Sequence, residues 1–156
     1  MEIVFVFFKL SNDNLIFLPI HYSQFTIHQP LFTNHYSPIK NMDHKQLDAW
    51  KLSIDLTIDI YNISKNFPRE EVYALTQQIR RAATSIPSNI AEGAARKSNK
   101  EFSQFLHIAL GSLAEVETQL FIAQRLNYTD QYSKFSSQIT SIRKLILGLI
   151  RYLSGE

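Results

Sequence analysis

Cysteine is missing from all 156 residues. Its absence excludes a disulfide framework, a thiol nucleophile, an iron–sulfur site and any Cys-ligated zinc, and it fits a reducing, cytoplasmic setting. Glycine is scarce, at four residues. Neither G-x-x-x-x-G-K-[ST] nor G-x-G-x-x-G occurs, so neither of these phosphate cradles is present. A dominant charge sign is missing too: 16 Lys and Arg face 14 Asp and Glu. The sequence pI near 8.8 falls short of the value above about 9 that marks a nucleic-acid binder by itself. A length of 156 residues suits one domain with a real hydrophobic core.

The averages hide two unlike parts. Residues 1–41 hold eight of the 18 Phe and Tyr, three of five Pro (Pro19, Pro30, Pro38), three of five His (His21, His28, His35) and no Gly. No helical period organises them. Met1–Leu10 reads either as a strand or as a short signal-like apolar run. A secretory signal needs a basic start, an apolar centre and a small-residue cleavage site, whereas here Glu2 comes first, Lys9 interrupts and no A-x-A follows. The apolar runs Ile3–Phe8 and Leu15–Ile20 are far short of the ~20 residues of a membrane span. The break in composition just before Met42 predicts that 1–41 is a non-native extension, poorly ordered or loosely docked, and that the domain is 42–156.

From Met42 on, the chain reads as four amphipathic helices. Asp43-x-x-Gln46 resembles a capping box. Leu47, Trp50, Ile54, Ile58 and Tyr61 then recur at helical spacing and predict the buried face of the first helix, which ends near Asn66 before Phe67-Pro68. Pro68 is suited to the first position of a second helix, and Glu70 and Glu71 to its first turn. Its stripe is Leu75, Ile79, Ala82 or Ala83, Ile86 and Ile90. Pro87 lies inside this pattern and predicts a kink rather than a stop. Ser98-x-x-Glu101 is a second capping box, followed by Phe102, Phe105, Leu106, Ala109, Leu113, Val116, Leu120 and Ala123. Asn127-Tyr128 predicts a turn, with Thr129 or Asp130 as the next N-cap. The fourth stripe is Tyr132, Phe135, Ile139, Ile142, Leu145, Ile146, Leu149 and Tyr152 or Leu153, with Gly155 just past its end. Four such helices with short connections predict an all-α fold, an antiparallel up-down-up-down four-helix bundle.

Enzyme chemistry fails on missing parts. A di-metal carboxylate bundle needs two Glu-x-x-His pairs, but Ala95, Gln104 and Thr118 stand three residues after Glu92, Glu101 and Glu115. H-E-x-x-H is absent. Past Met42 only His44 and His107 remain, and neither has partners for acid–base work. No metal, cofactor or catalytic residue is expected.

The one segment of unusual chemistry is Gln77–Lys100. Arg80, Arg81, Arg96, Lys97 and Lys100 face only Glu92. Guanidinium groups suit phosphate because their donors engage two oxygens at once, so these five are the candidate nucleic-acid contacts. The plainer alternative is structural pairing: Arg96 with Glu92 four residues before it, and Arg80 or Arg81 with Glu115 or Glu117. Asn89 and Glu92 either satisfy each other or meet carbonyls freed by Pro87. Gly93, in an Ala-Glu-Gly-Ala-Ala run, permits close helix approach within or between chains. Gly111, Ser112 and Ala114 do the same on the third helix.

The run Arg80-Arg81-Ala82-Ala83-x-Ser85-Ile86-x-x-Asn89-Ile90-Ala91-Glu92-Gly93 resembles the signature of the small four-helix-bundle proteins first noticed inside 23S rRNA intervening sequences. Trp50, Phe67-Pro68, Tyr73, Glu101-Phe102, Phe105-Leu106 and Gly111-Ser112-Leu113-x-Glu115-x-Glu117-Thr118 extend the resemblance over about 45–153. It implies a bundle without known enzymatic activity, with Asn89, Glu92, Gly93, Glu115 and Glu117 as motif residues. That family also resembles the accessory proteins of diversity-generating retroelements, which assemble as five-fold barrels and bind a reverse transcriptase and nucleic acid through basic surfaces. By that resemblance Arg80, Arg81, Arg96 and Lys97 are the contacts. The chain departs from it in being only mildly basic, with 14 Lys and Arg against 12 acids from Met42 on. Two functions follow as expectations. One is a cytoplasmic homo-oligomer, a pentamer by resemblance, that binds RNA, DNA or an RNA–protein complex and no membrane. The other is an assembly or adaptor protein that binds another protein.

Overall fold

The computed structural model describes residues 4–9, 15–20 and 43–155. Two compact units divide the chain, Met1–Tyr36 and Ser37–Glu156. In the first, the two early apolar runs form strands β1 (Val4–Lys9) and β2 (Leu15–Ile20), paired antiparallel with Val4 opposite Ile20 and Lys9 opposite Leu15. The strand reading of the first ten residues therefore holds. The poor order expected elsewhere in 1–41 lies outside the described residues.

The second unit is all-α: α1 (Asp48–Ile63), α2 (Leu75–Ala94), α3 (Asn99–Arg125) and α4 (Tyr132–Ser154). Each helix packs on its chain neighbours, and α1 closes the ring against α4. Side chains fix the directions. Arg80 near the start of α2 reaches Ser64 past the end of α1. Ser112 and Ser85 meet midway along α3 and α2, and Asn99 at the start of α3 reaches the Leu153 carbonyl at the end of α4. Neighbours are thus antiparallel, joined by short connections. The core is built from Leu56, Ile60, Ile79, Ile86, Ile90, Leu106, Leu113, Leu120, Phe135, Ile139, Ile142 and Ile146, all fully buried. α3 is long and apolar enough to cross a membrane by length and composition; Phe102, Leu106, Ala109, Leu113, Val116, Leu120 and Ala123 of this helix are buried in the core, while Ile108, Phe121 and Ile122 are exposed.

Three helix starts differ from expectation. Asp43 does cap a turn, but its carboxylate accepts from the Lys45 amide in a 3₁₀ segment, His44–Gln46, and α1 begins two residues after that segment with no side-chain cap. Pro68 opens another 3₁₀ segment, Arg69–Tyr73, rather than α2. The Glu71 carboxylate then accepts from the Leu75 amide at 3.1 Å and supplies the cap for α2 from outside the helix. At α4 the N-cap is Gln131, not Thr129 or Asp130, and Thr129 Oγ1 accepts from the Gln131 amide. Ser98 caps α3 as its sequence requires, accepting from the Glu101 amide. Asn127 takes a left-handed φ of 59° in the turn, and Gly155 takes φ 79° at the end of α4.

α2 runs through Pro87 without a break. A proline removes the amide that would meet the carbonyl four residues earlier, here Ala83. That oxygen accepts from Thr57 Oγ1 of α1 at 3.0 Å. Asn89 and Glu92 therefore do not perform this service. Asn89 Nδ2 donates to the Ser85 carbonyl and hydroxyl instead.

The larger correction concerns α1. Its buried residues are Ala49, Ser53, Leu56 and Ile60, not the stripe of larger side chains. Ile58 is 54% exposed and Tyr61 41% exposed, while Leu47, Trp50 and Ile54 are half-buried. Leu47 and Trp50 still pack against the edge of the core, whereas Ile58 and Tyr61 stand outside it.

Candidate nucleic-acid interface

The basic segment Gln77–Lys100 is not one surface. Arg96 lies sixteen positions beyond Arg80, just past the end of α2, a rise of about 24 Å at 1.5 Å per residue. Arg80 and Arg81 lie near the start of α2, whereas Arg96, Lys97 and Lys100 surround the α2–α3 connection.

The cations differ in how far they are committed. Arg80 is half-buried. Its Nε donates to Ser64 Oγ at 2.8 Å, and its guanidinium lies 5.0 Å from the Tyr61 ring centre, a cation–π contact. Arg81, one residue on, is exposed and has no side-chain partner among the described residues. Arg96 pairs with Glu92 and lies 4.7 Å from the Phe105 ring centre, so its charge is largely matched. Lys97 and Lys100 are exposed. Glu115 and Glu117 pair with neither Arg80 nor Arg81: Glu115 accepts from Gln119, and Glu117 accepts from Arg143 of α4 at 2.6 Å. The segment's excess of positive charge thus resolves into Arg81 at one end of the bundle and Lys97 with Lys100 at the other.

Gly93 acts inside the chain. A Cβ there would lie 2.6 Å from Phe102 Cδ2 and 2.8 Å from Phe105 Cβ, so glycine lets α3 close on α2 where the two helices turn. Gly111 is exposed, and a Cβ there would meet nothing within 4 Å. His44 sits edge-on to Trp50 at 5.2 Å, and exposed His107 bonds the Ser103 carbonyl. No group of three or more His, Asp or Glu that could hold a metal occurs among the described residues.

Elsewhere among the described residues, two groups have shifted ionisation. The Asp59 carboxyl is held below its ordinary value, chiefly by the Gln138 amide, which donates to it at 3.0 Å; Lys134, 3.2 Å away, adds to this against the opposing effect of burial. The Tyr128 phenol is raised by burial and then by the Glu71 carboxylate, to which it donates.

Residues missed by the sequence reading flank Arg80 and Arg81. Tyr61, Val72, Tyr73, Thr76 and Gln77 line the same cleft between α1 and α2. Tyr73 is visible in the family-like pattern, but nothing in the spacing places it beside the arginines.

Fold and surface together define a small antiparallel helical bundle with separated cations and an unburied apolar stripe. The model of the family described as 23S rRNA-intervening sequence protein matches residues 45–148, and the chain belongs to that family. Among solved structures it is similar to a protein of unknown function from the S23 ribosomal protein family of Bacteroides thetaiotaomicron VPI-5482. The two are 30% identical with a TM-score of 0.61, and the match covers 66% of this chain and 98% of that one. No curated protein matches.

Proposed function

We propose that this chain is a non-enzymatic, self-assembling binding protein of the cytoplasm, whose oligomer contacts nucleic acid, as RNA or an RNA–protein complex, through Arg81, Lys97 and Lys100. The observation that carries the reading is the second apolar face of α1. Water-facing Ile58 and Tyr61, continuous with half-buried Trp50 and Ile54, form a stripe of the kind that marks an interaction surface. When the stripe of each copy seats on a different face of the next, the contact runs head to tail and closes into a ring, and the retroelement accessory proteins that this family resembles form rings of five. Assembly also multiplies the few free cations of each copy into a basic surface, and so offsets the weak net charge. The adaptor reading draws support from Arg80 and Arg96, which the bundle already engages.

The test is Ile58→Asp, followed by light scattering and circular dichroism. The expected result is a monomer with unchanged helix content from a wild type that is a stable multiple. A wild-type monomer, or a variant with unchanged mass, contradicts the assembly role.

A further inference from the structure

The cleft between the end of α1 and the start of α2 has a volume of about 260 Å³, near the lower end of the ~300–1,000 Å³ range of small-ligand sites. It is sized for a base rather than for a large ligand. Its lining includes two arginines and two tyrosines and no carboxylate. Arg81 has no side-chain partner among the described residues. Arg80 spends its Nε on Ser64 and lies over Tyr61, which fixes the guanidinium and leaves its terminal nitrogens directed to no other described group. Tyr73 holds an aromatic ring in water at 89% exposure, on the 3₁₀ segment just before α2. Thr76 is only 4% exposed, yet its hydroxyl finds no hydrogen-bond partner among the described residues, an unmet polar group that normally costs stability.

We infer that this cleft takes one unpaired nucleotide of a single strand, with its phosphate on Arg81 and its base against Tyr73, Arg80 forming the fixed wall between them. The inference rests on the nucleic-acid reading above and makes it more specific. A cation beside an exposed aromatic face matches the two halves of a nucleotide. In a duplex both faces of each base are already stacked, so Tyr73 gains nothing there. Thr76 and Gln77 supply polar groups at the floor and rim.

The experiment is fluorescence anisotropy on the full chain, with short labelled RNA and DNA single strands and the matching duplexes, across a salt series. Tyr73→Ala should weaken single-strand binding roughly five- to 150-fold, without changing its salt slope or its duplex binding. Tyr73→Phe should bind as wild type does. Arg81→Gln should reduce the log–log salt slope by ~0.7. Tyr73 is exposed, so its variants should melt as the wild type does. Binding of either single strand with this pattern supports the cleft, and the tighter of RNA and DNA names the source. If Tyr73→Ala binds normally while Arg81→Gln does not, the cleft is overturned and the electrostatic reading survives. If the wild type binds no nucleic acid at low salt, both fall. If Tyr73→Ala changes the oligomer mass, the cleft is a contact between copies and the nucleotide site is overturned.

Discussion

Arg80 and Arg81 are neighbours in sequence, yet a helix turns ~100° per residue, and that turn gives them different work. Arg80 faces α1 and ties α2 to Ser64 and Tyr61; Arg81 faces water. No count of charge along the sequence separates them. Gly93 is the opposite case. Its small size is legible in the sequence, and the structure supplies the reason, since Phe102 and Phe105 occupy the space a methyl would need. Gly93→Ala is expected to destabilise the bundle by about 1–3 kcal/mol, read from urea unfolding; an unchanged midpoint would show that α3 can shift without cost. Asp59 sets an acid dependence. Its folded pKa lies below the unfolded value of 3.8, so its contribution is present above the unfolded value and is lost as pH falls through the folded one. Asp59→Asn should therefore be less stable than wild type near pH 7, with the gap closing as pH falls past the unfolded value and through the lower folded one. Melting curves across that range check it.

At the scale of the element, α2, α3 and α4 show how periodicity works when one face carries the large apolar residues. Their stripes are buried largely as the spacing requires, with Leu145 and Tyr152 left near the surface. α1 misleads because Ile54, Ile58 and Tyr61 mark the outer flank, with Trp50 packed at the edge of the core. Its inner face mixes Leu56 and Ile60 with small Ala49 and polar Ser53. Ser53 can be buried because its hydroxyl donates to the Trp50 carbonyl at 2.7 Å. A helix short of bulk on its inner face is hard to read from hydrophobicity alone. The start of α2 is equally hidden, because its cap comes from Glu71 across a non-helical break at Ala74. The two faces of α1 respond to different tests. Leu56→Ala should cost about 2–5 kcal/mol of stability; Ile58→Asp should leave stability nearly unchanged and dissolve the assembly. Equal loss of stability in both variants would mean that α1 has a single working face.

For the whole molecule, four antiparallel helices and their order follow from breakers and periodicity, with the Ser98 cap of α3 acting as the sequence requires. The division of the basic segment between the two ends of the bundle does not, because it depends on helix phase and on partners drawn from α1 and α3. The working unit is therefore proposed to be larger than one chain: copies joined along α1, each bringing Arg81, Lys97, Lys100 and one cleft to a shared surface. The most direct measurement is multi-angle light scattering of the full chain, with and without ribosomal RNA fragments, at low and high salt. The expected result is a stable multiple near five copies that gains mass with RNA at low salt and releases it at high salt. A monomer indifferent to RNA at both salts would contradict the assembly and the nucleic-acid contact together.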